Sequence, residues 1–176
     1  MKLLLATLLL LTATAVGWAA PTREEALSAI AILEKDILSG AAIEAAGTIA
    51  QFAEQSEEVN FVIGPDTIPW VMEERAPNEI DDTIYSMLLA AYFAGNAKSQ
   101  LRAGKASDDP YPGWLAAIRA YRQFQTKRSI VIPSLEKFSE MEANGSLEAH
   151  AREVKSQEKE LNSPPKKTPS RSRDFI

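Results

Sequence analysis

The chain has 176 residues, of which 45% are apolar and 24% charged, with no cysteine, one histidine and a formal net charge of −5. One domain, or two very small ones, fits that length, and a chain near this size hides about two thirds of its unfolded surface. Without cysteine there are no disulfides, thiolate nucleophiles, iron–sulfur ligands or thiolate zinc sites, and one histidine excludes any site that needs two.

Residues 1–20 differ from the rest. Lys2 supplies a positive start, and residues 3–16 are apolar except for Thr7, Thr12 and Thr14. Small residues follow, with Ala15 and Gly17, or Gly17 and Ala19, at the −3 and −1 positions of a cleavage site. This is the layout of a secretory signal peptide. The alternative is an uncleaved N-terminal anchor, because residues 3–20 are uncharged and just long enough to span a bilayer. No later stretch approaches that length, so no transmembrane span is expected after cleavage. Export without cysteine fits a bacterial periplasmic or secreted protein best.

The remaining chain reads as all-α, a single compact domain over residues 21–162 with five to six helices, of hairpin or bundle type, and two short extended segments. Thr22 and Glu25 form a capping box, followed by Leu27, Ile30, Ile37 and Leu38 at helical spacing, with Gly40 as the stop. A second helix is expected over 41–58, where Gly47 either weakens it or admits another backbone. Val59 to Ile63 breaks the helical period and ends at Gly64-Pro65. Asp66 or Thr67 then caps a short helix through Trp70.

Asn78 is the expected cap of the longest helix, 79–103, which Gly104 stops; Asp81 and Asp82 lie in its first turn. Asp109 with Pro110 starts the next helix, striped by Trp114, Leu115, Ile118, Tyr121 and Phe124. A second extended run at residues 130–132 leads to Pro133 and Ser134, with Ser134 expected as a cap. Asn144-Gly145 is a turn, and Ser146 caps a last, polar helix containing His150, expected to be solvated. Residues 163–176, with three prolines, four bases and three serines, cannot pack a core and read as a disordered tail. At an offset of 69, Ile49 falls on Ile118, Phe52 on Tyr121 and Ile63 on Ile132, the pattern of a pseudo-repeat. A corollary is that the two extended runs pair as a small sheet; the alternative is that both are irregular buried loops.

Charge is divided unevenly. Residues 21–90 hold 14 acids and three bases, a net −11, whereas residues 91–176 hold 10 acids and 15 bases, a net +5. Arg119, Arg122, Lys127 and Arg128 form a basic patch, for which pairing with the acidic first half is the simplest use. In an exported acidic protein this patch does not point to nucleic acid. The tail bases Lys166, Lys167, Arg171 and Arg173 suit weak contact with anionic surfaces.

Catalytic motifs are scarce. There is no phosphate loop, nucleophile elbow or paired-histidine helix, and no cofactor or metal is expected. Ser134 and Lys137 match S-x-x-K without its companion elements. Carboxylate pairs such as Asp81/Asp82 and Asp108/Asp109 support catalysis only if two clusters converge. The distinctive constellation is aromatic: Asp66 and Trp70 in one proline-bearing segment, and Asp108, Asp109, Tyr111 and Trp114 in another. Rigid rings flanked by acids suit sugars or cationic ligands, with Tyr85 and Tyr92 extending the surface; alternatively both tryptophans are core. The functional expectation is a non-enzymatic binding module of the cell envelope, with an envelope protein or small ligand as partner. A carboxylate-dependent glycan hydrolase and a purely structural envelope protein are the alternatives.

Overall fold

The computed structural model describes residues 19–73 and 81–161, with side chains to residue 159. The leader before Ala19, the expected cap Asn78 and the tail from Asn162 lie outside the described residues. The described chain is all-helical, with seven helices where five to six were expected: α1 (Arg23–Lys35), α2 (Gly40–Gln55), α3 (Pro69–Met72), α4 (Asp82–Ala103), α5 (Pro110–Gln125), α6 (Pro133–Ala143) and α7 (Leu147–Leu161).

Local chemistry sets most of these ends. Thr22 and Glu25 make the full capping box of α1. Asp109 caps α5 with Pro110 in its first turn, and Gly104 closes α4 at φ 62°, a left-handed conformation that suits glycine. Several expected boundaries differ. Helix α3 has Ile68, rather than Asp66 or Thr67, at its cap position, with no capping side chain, and α2 ends at Gln55 rather than 58. Helix α1 stops at Lys35, because Asp36 turns extended and its own oxygens accept from Leu38 and Ser39; Gly40 instead begins α2. Helix α4 begins at Asp82, with Asp81 accepting the Thr83 N–H at 2.9 Å. At α6, Pro133 leads and Ile132 has no capping side chain, so Glu73, far away in sequence, accepts the Ser134 N–H at 3.0 Å. Ser134 is therefore not the cap, and its buried hydroxyl has no partner. With Lys137 exposed, the two do not form an activated pair.

Helix α4 is the central strut, buried on nearly every side, and it packs most extensively on α5. The crossing is close because each helix offers a glycine to the other. A Cβ on Gly95 would overlap the Pro112 carbonyl and stand 2.7 Å from the Ala116 Cβ; one on Gly113 would stand 2.6 Å from the Tyr92 ring. Helices α1 and α2 form a hairpin laid against α4. Both ends of α1 reach the C-terminal end of α4: Arg23 at its start donates to the Leu101 carbonyl at 2.6 Å, and Glu34 near its end pairs with Lys98.

Neither extended run forms a strand, and the described residues contain no sheet. Side chains satisfy these backbones instead. Gln100 brackets Asn60, accepting its N–H at 2.9 Å and donating to its carbonyl at 2.7 Å. The Tyr121 hydroxyl accepts the Ile132 N–H at 3.1 Å and lies 3.2 Å from the Ile130 carbonyl. A backbone paired in this way needs no strand partner. The order long helix, long helix, extended run, shorter helix does recur from α4 to α6. The equivalence breaks at its last pair, because Ile63 is 56% exposed and Ile132 fully buried.

The charge division is used only in part. Lys98–Glu34 joins the two halves, whereas Arg23–Glu58 lies within the first. The patch residue Arg122 pairs instead with Glu142 of α6 at 2.7 Å, so its partner lies in the same half of the chain.

Candidate functional site

The aromatic segments do not form a ligand platform. Trp70 and Trp114 are both 0% exposed. The Trp114 indole N–H donates to the Thr67 carbonyl at 2.7 Å, and its ring meets Phe138 at 4.6 Å and His150 at 5.3 Å. Trp70 packs edge-on against Tyr92 and Phe138. Tyr85 and Tyr92 are buried as well. The prolines place these rings in the seam between α4, α5, α6 and α7, where large apolar area contributes most by being hidden. His150, expected in solvent, is half-buried against Trp114. Of the expected site residues, Asp66 is exposed, Asp109 is the α5 cap and Tyr111 is half-buried beside it.

Asp108 is different. It is only 6% exposed and ends a buried polar chain: Gln100 donates to Asn96 at 2.8 Å, and Asn96 donates to Asp108 at 2.8 Å. Asn96 also accepts the Asp109 N–H at 3.3 Å. Burial pushes the Asp108 carboxyl above the usual carboxylate range, opposed by its hydrogen bonds from Asn96 and the Val62 backbone and by Lys155. Glu158 on α7 is raised too, by burial and then by Asp108 and Asp66. Burial, followed by the Asp108 charge, pushes the Tyr92 phenol upward. Asn96 and Gln100 escaped notice in the sequence, although Tyr92, Asn96 and Gln100 recur every four residues along one helix face.

A carboxyl that is raised in the folded state costs stability when ionised. Stability gained from Asp108 therefore increases as pH falls from above its raised value toward its ordinary 3.8. Glu25 and Asp81 work in the opposite direction: hydrogen bonds from Thr22 and Thr83 hold them low, so their contribution is lost as pH falls through those lowered values. Asp108→Asn keeps an acceptor for Asn96 and removes the charge. Thermal melts between pH 8 and pH 4.5 are expected to show wild type gaining stability on acidification and the variant, more stable at pH 8, gaining less. Parallel curves would place the buried charge elsewhere.

An open hollow of about 460 Å³ lies between α1 and α2, and a more apolar concave surface lies between α2 and α4. A groove of about 500 Å³ runs between α2 and the first half of α4, lined by Ile43, Ala46, Ala50, Met87, Leu89 and Phe93. A second hollow of about 430 Å³ shares Ala50 and Phe93 and continues to Val59, Phe61 and Ile63. Phe61 and Phe93 meet edge-to-face at 4.9 Å between them. Ile43 at the entrance is 63% exposed and Ile63 at the far end 56% exposed. Among the described residues, the charged side chains lining the two hollows are Asp82 and Glu54, with no Lys, Arg or His. Neither Asp108 nor Glu158 lines these hollows. Among the described residues no group of carboxylates and histidine is arranged to hold a metal ion, and no helix is long and apolar enough to cross a membrane.

Comparison with protein-family models, curated proteins and solved structures gives no match. The site is therefore read from its own chemistry.

Proposed function

We propose that the chain is an exported, non-enzymatic binding module of the cell envelope, periplasmic or secreted, that holds its partner in the apolar groove between α2 and α4. The observation that carries this reading is the continuity of that groove, with Ile43 and Ile63 left in solvent at its two ends and Phe61 and Phe93 between. Two large exposed aliphatics on one concave surface are a costly choice unless something covers them. The leader-like residues 1–20 support export.

An apolar fluorescent dye tests the groove. Wild type is expected to bind it saturably, and Ile43→Glu is expected to weaken binding at least tenfold. Because Ile43 is 63% exposed, its replacement is expected to shift stability by no more than about 0.5 kcal/mol. Equal dye binding by both proteins contradicts the reading.

A further inference from the structure

We propose that α7 is a proton-operated latch on the aromatic seam, closed over Asp108 and Trp114 in acid and released from its C-terminal end as the solution becomes neutral. The latch is separate from the groove between α2 and α4, which α7 does not line. Helix α7 packs on α5 and α6 through a narrow contact. Leu147, Ala151 and Val154 are buried, and most of its other side chains are exposed. His150 lies on the Trp114 ring at 5.3 Å and 6.0 Å from the Phe138 ring. Val154 and Glu158 follow His150 at four-residue steps, so the three share one face of α7. On α5, Pro110 precedes Trp114 by the same step, and Asp108 lies just before it. The face that covers Trp114 therefore carries Glu158 toward Asp108. Arg152 pairs at 2.7 Å with Glu148 of the same helix, a bond that does not tie α7 to the body.

The body side of this contact is fixed. Asp108 is 6% exposed. Asn96 donates to one of its oxygens at 2.8 Å, and the other is buried without a hydrogen-bond partner. Asn96 is held in turn, because its oxygen accepts from Gln100 and from the Asp109 N–H. Its helix is locked to α5 at Gly95 and Gly113. A charge on Asp108 is relieved only when water reaches it, and α7 is the element that can move aside. Facing Asp108 and Glu158 are Asp66 from the loop before α3, Asp109, Lys155 of α7 and the Tyr92 hydroxyl of α4. Lys155 alone draws both carboxyls toward the charged form. Asp66 and Lys155 are exposed, so solvent screens them; Asp108 and Glu158 are the acids that docking removes from water. Burial pushes both carboxyls up while α7 is docked, and the Asp108 charge adds to the rise at Glu158. Docking is therefore tightest below their ordinary values of 3.8 and 4.5 and weakens as pH rises through the raised ones.

Hydrogen exchange of the full chain, read by mass spectrometry and divided by the intrinsic rate at each pH, tests the latch. At pH 8 the amides of α7 are expected to be at least tenfold less protected than those of the α4 interior, because α7 opens on its own. Between pH 8 and pH 4.5 their protection is expected to rise about tenfold or more, the change that one pKa unit brings. Glu158→Gln leaves the Asn96–Asp108 bond in place; it is expected to raise α7 protection at pH 8 and to cut the rise by at least half. Asp108→Asn should act in the same direction, and the double variant should lose the rise. His150→Gln, which removes the imidazole from the Trp114 face, should keep it. Protection in α7 equal to that of α4 at pH 8 would mean that the helix leaves only with the whole fold, and overturns the proposal. So does protection that is flat or falls on acidification, a rise undiminished in Glu158→Gln or in the double variant, or a rise abolished by His150→Gln.

Discussion

Gly95→Ala is expected to destabilise the protein by about 3 kcal/mol, although alanine is the better helix former. In an exposed helix the same change gains up to about 1 kcal/mol through propensity. Here the added methyl meets two partners that cannot yield: the Pro112 carbonyl in the first turn of α5 and the Ala116 Cβ one turn later. To accept it, α4 and α5 must separate, and with them the buried surfaces of Leu88, Tyr92, Ala117 and Tyr121. Gly47→Ala is the internal control. It lies in α2 with nothing within 4 Å, so it is expected to stabilise by about 0.5–1 kcal/mol. Urea unfolding of the two variants checks the pair. A Gly95→Ala protein as stable as wild type would mean that α4 and α5 do not cross where described.

Trp114→Ala is expected to cost about 3–5 kcal/mol, enough to unfold a domain of ordinary stability. This side chain joins three parts of the chain. Its ring fills the space between Phe138 of α6 and His150 of α7, and its indole N–H satisfies the Thr67 carbonyl in the loop before α3. Trp114→Phe separates the two roles. Most of the ring contact survives, while the Thr67 carbonyl loses a buried partner, at a cost of about 1–3 kcal/mol. Thermal unfolding of both variants should rank wild type above Trp114→Phe and that above Trp114→Ala. A small loss in Trp114→Ala would mean that the ring is not at the centre of the seam.

Local signals were readable in the sequence where one residue type has one job. The Thr22–Glu25 box, Asp109 with Pro110, and Gly104 each set a helix end through its own backbone chemistry. Legibility failed where the partner is distant. Glu73 caps α6 across 61 positions, and Gln100 pairs the backbone of Asn60 across 40. No local pattern marks either, so the two extended runs read as strands when side chains had already satisfied them. The aromatic segments misled for a related reason. Prolines and acids beside a tryptophan describe a rigid loop but not which way the ring points, and here both rings point inward. The groove was hidden because its floor of alanine and glycine on α2 looks, in sequence, like an undistinguished helix face. Ile43 itself faces solvent, on the opposite side from Ala42, Ala45 and Ile49.

The contact surface is most directly located by methyl NMR of the folded protein during titration with the apolar dye. Binding in the groove predicts saturable shifts at Ile43, Ile63, Met87 and Leu89, with the interior methyls of Ile118, Ile132 and Leu135 unmoved. Shifts centred elsewhere, or none at these four, would contradict the account.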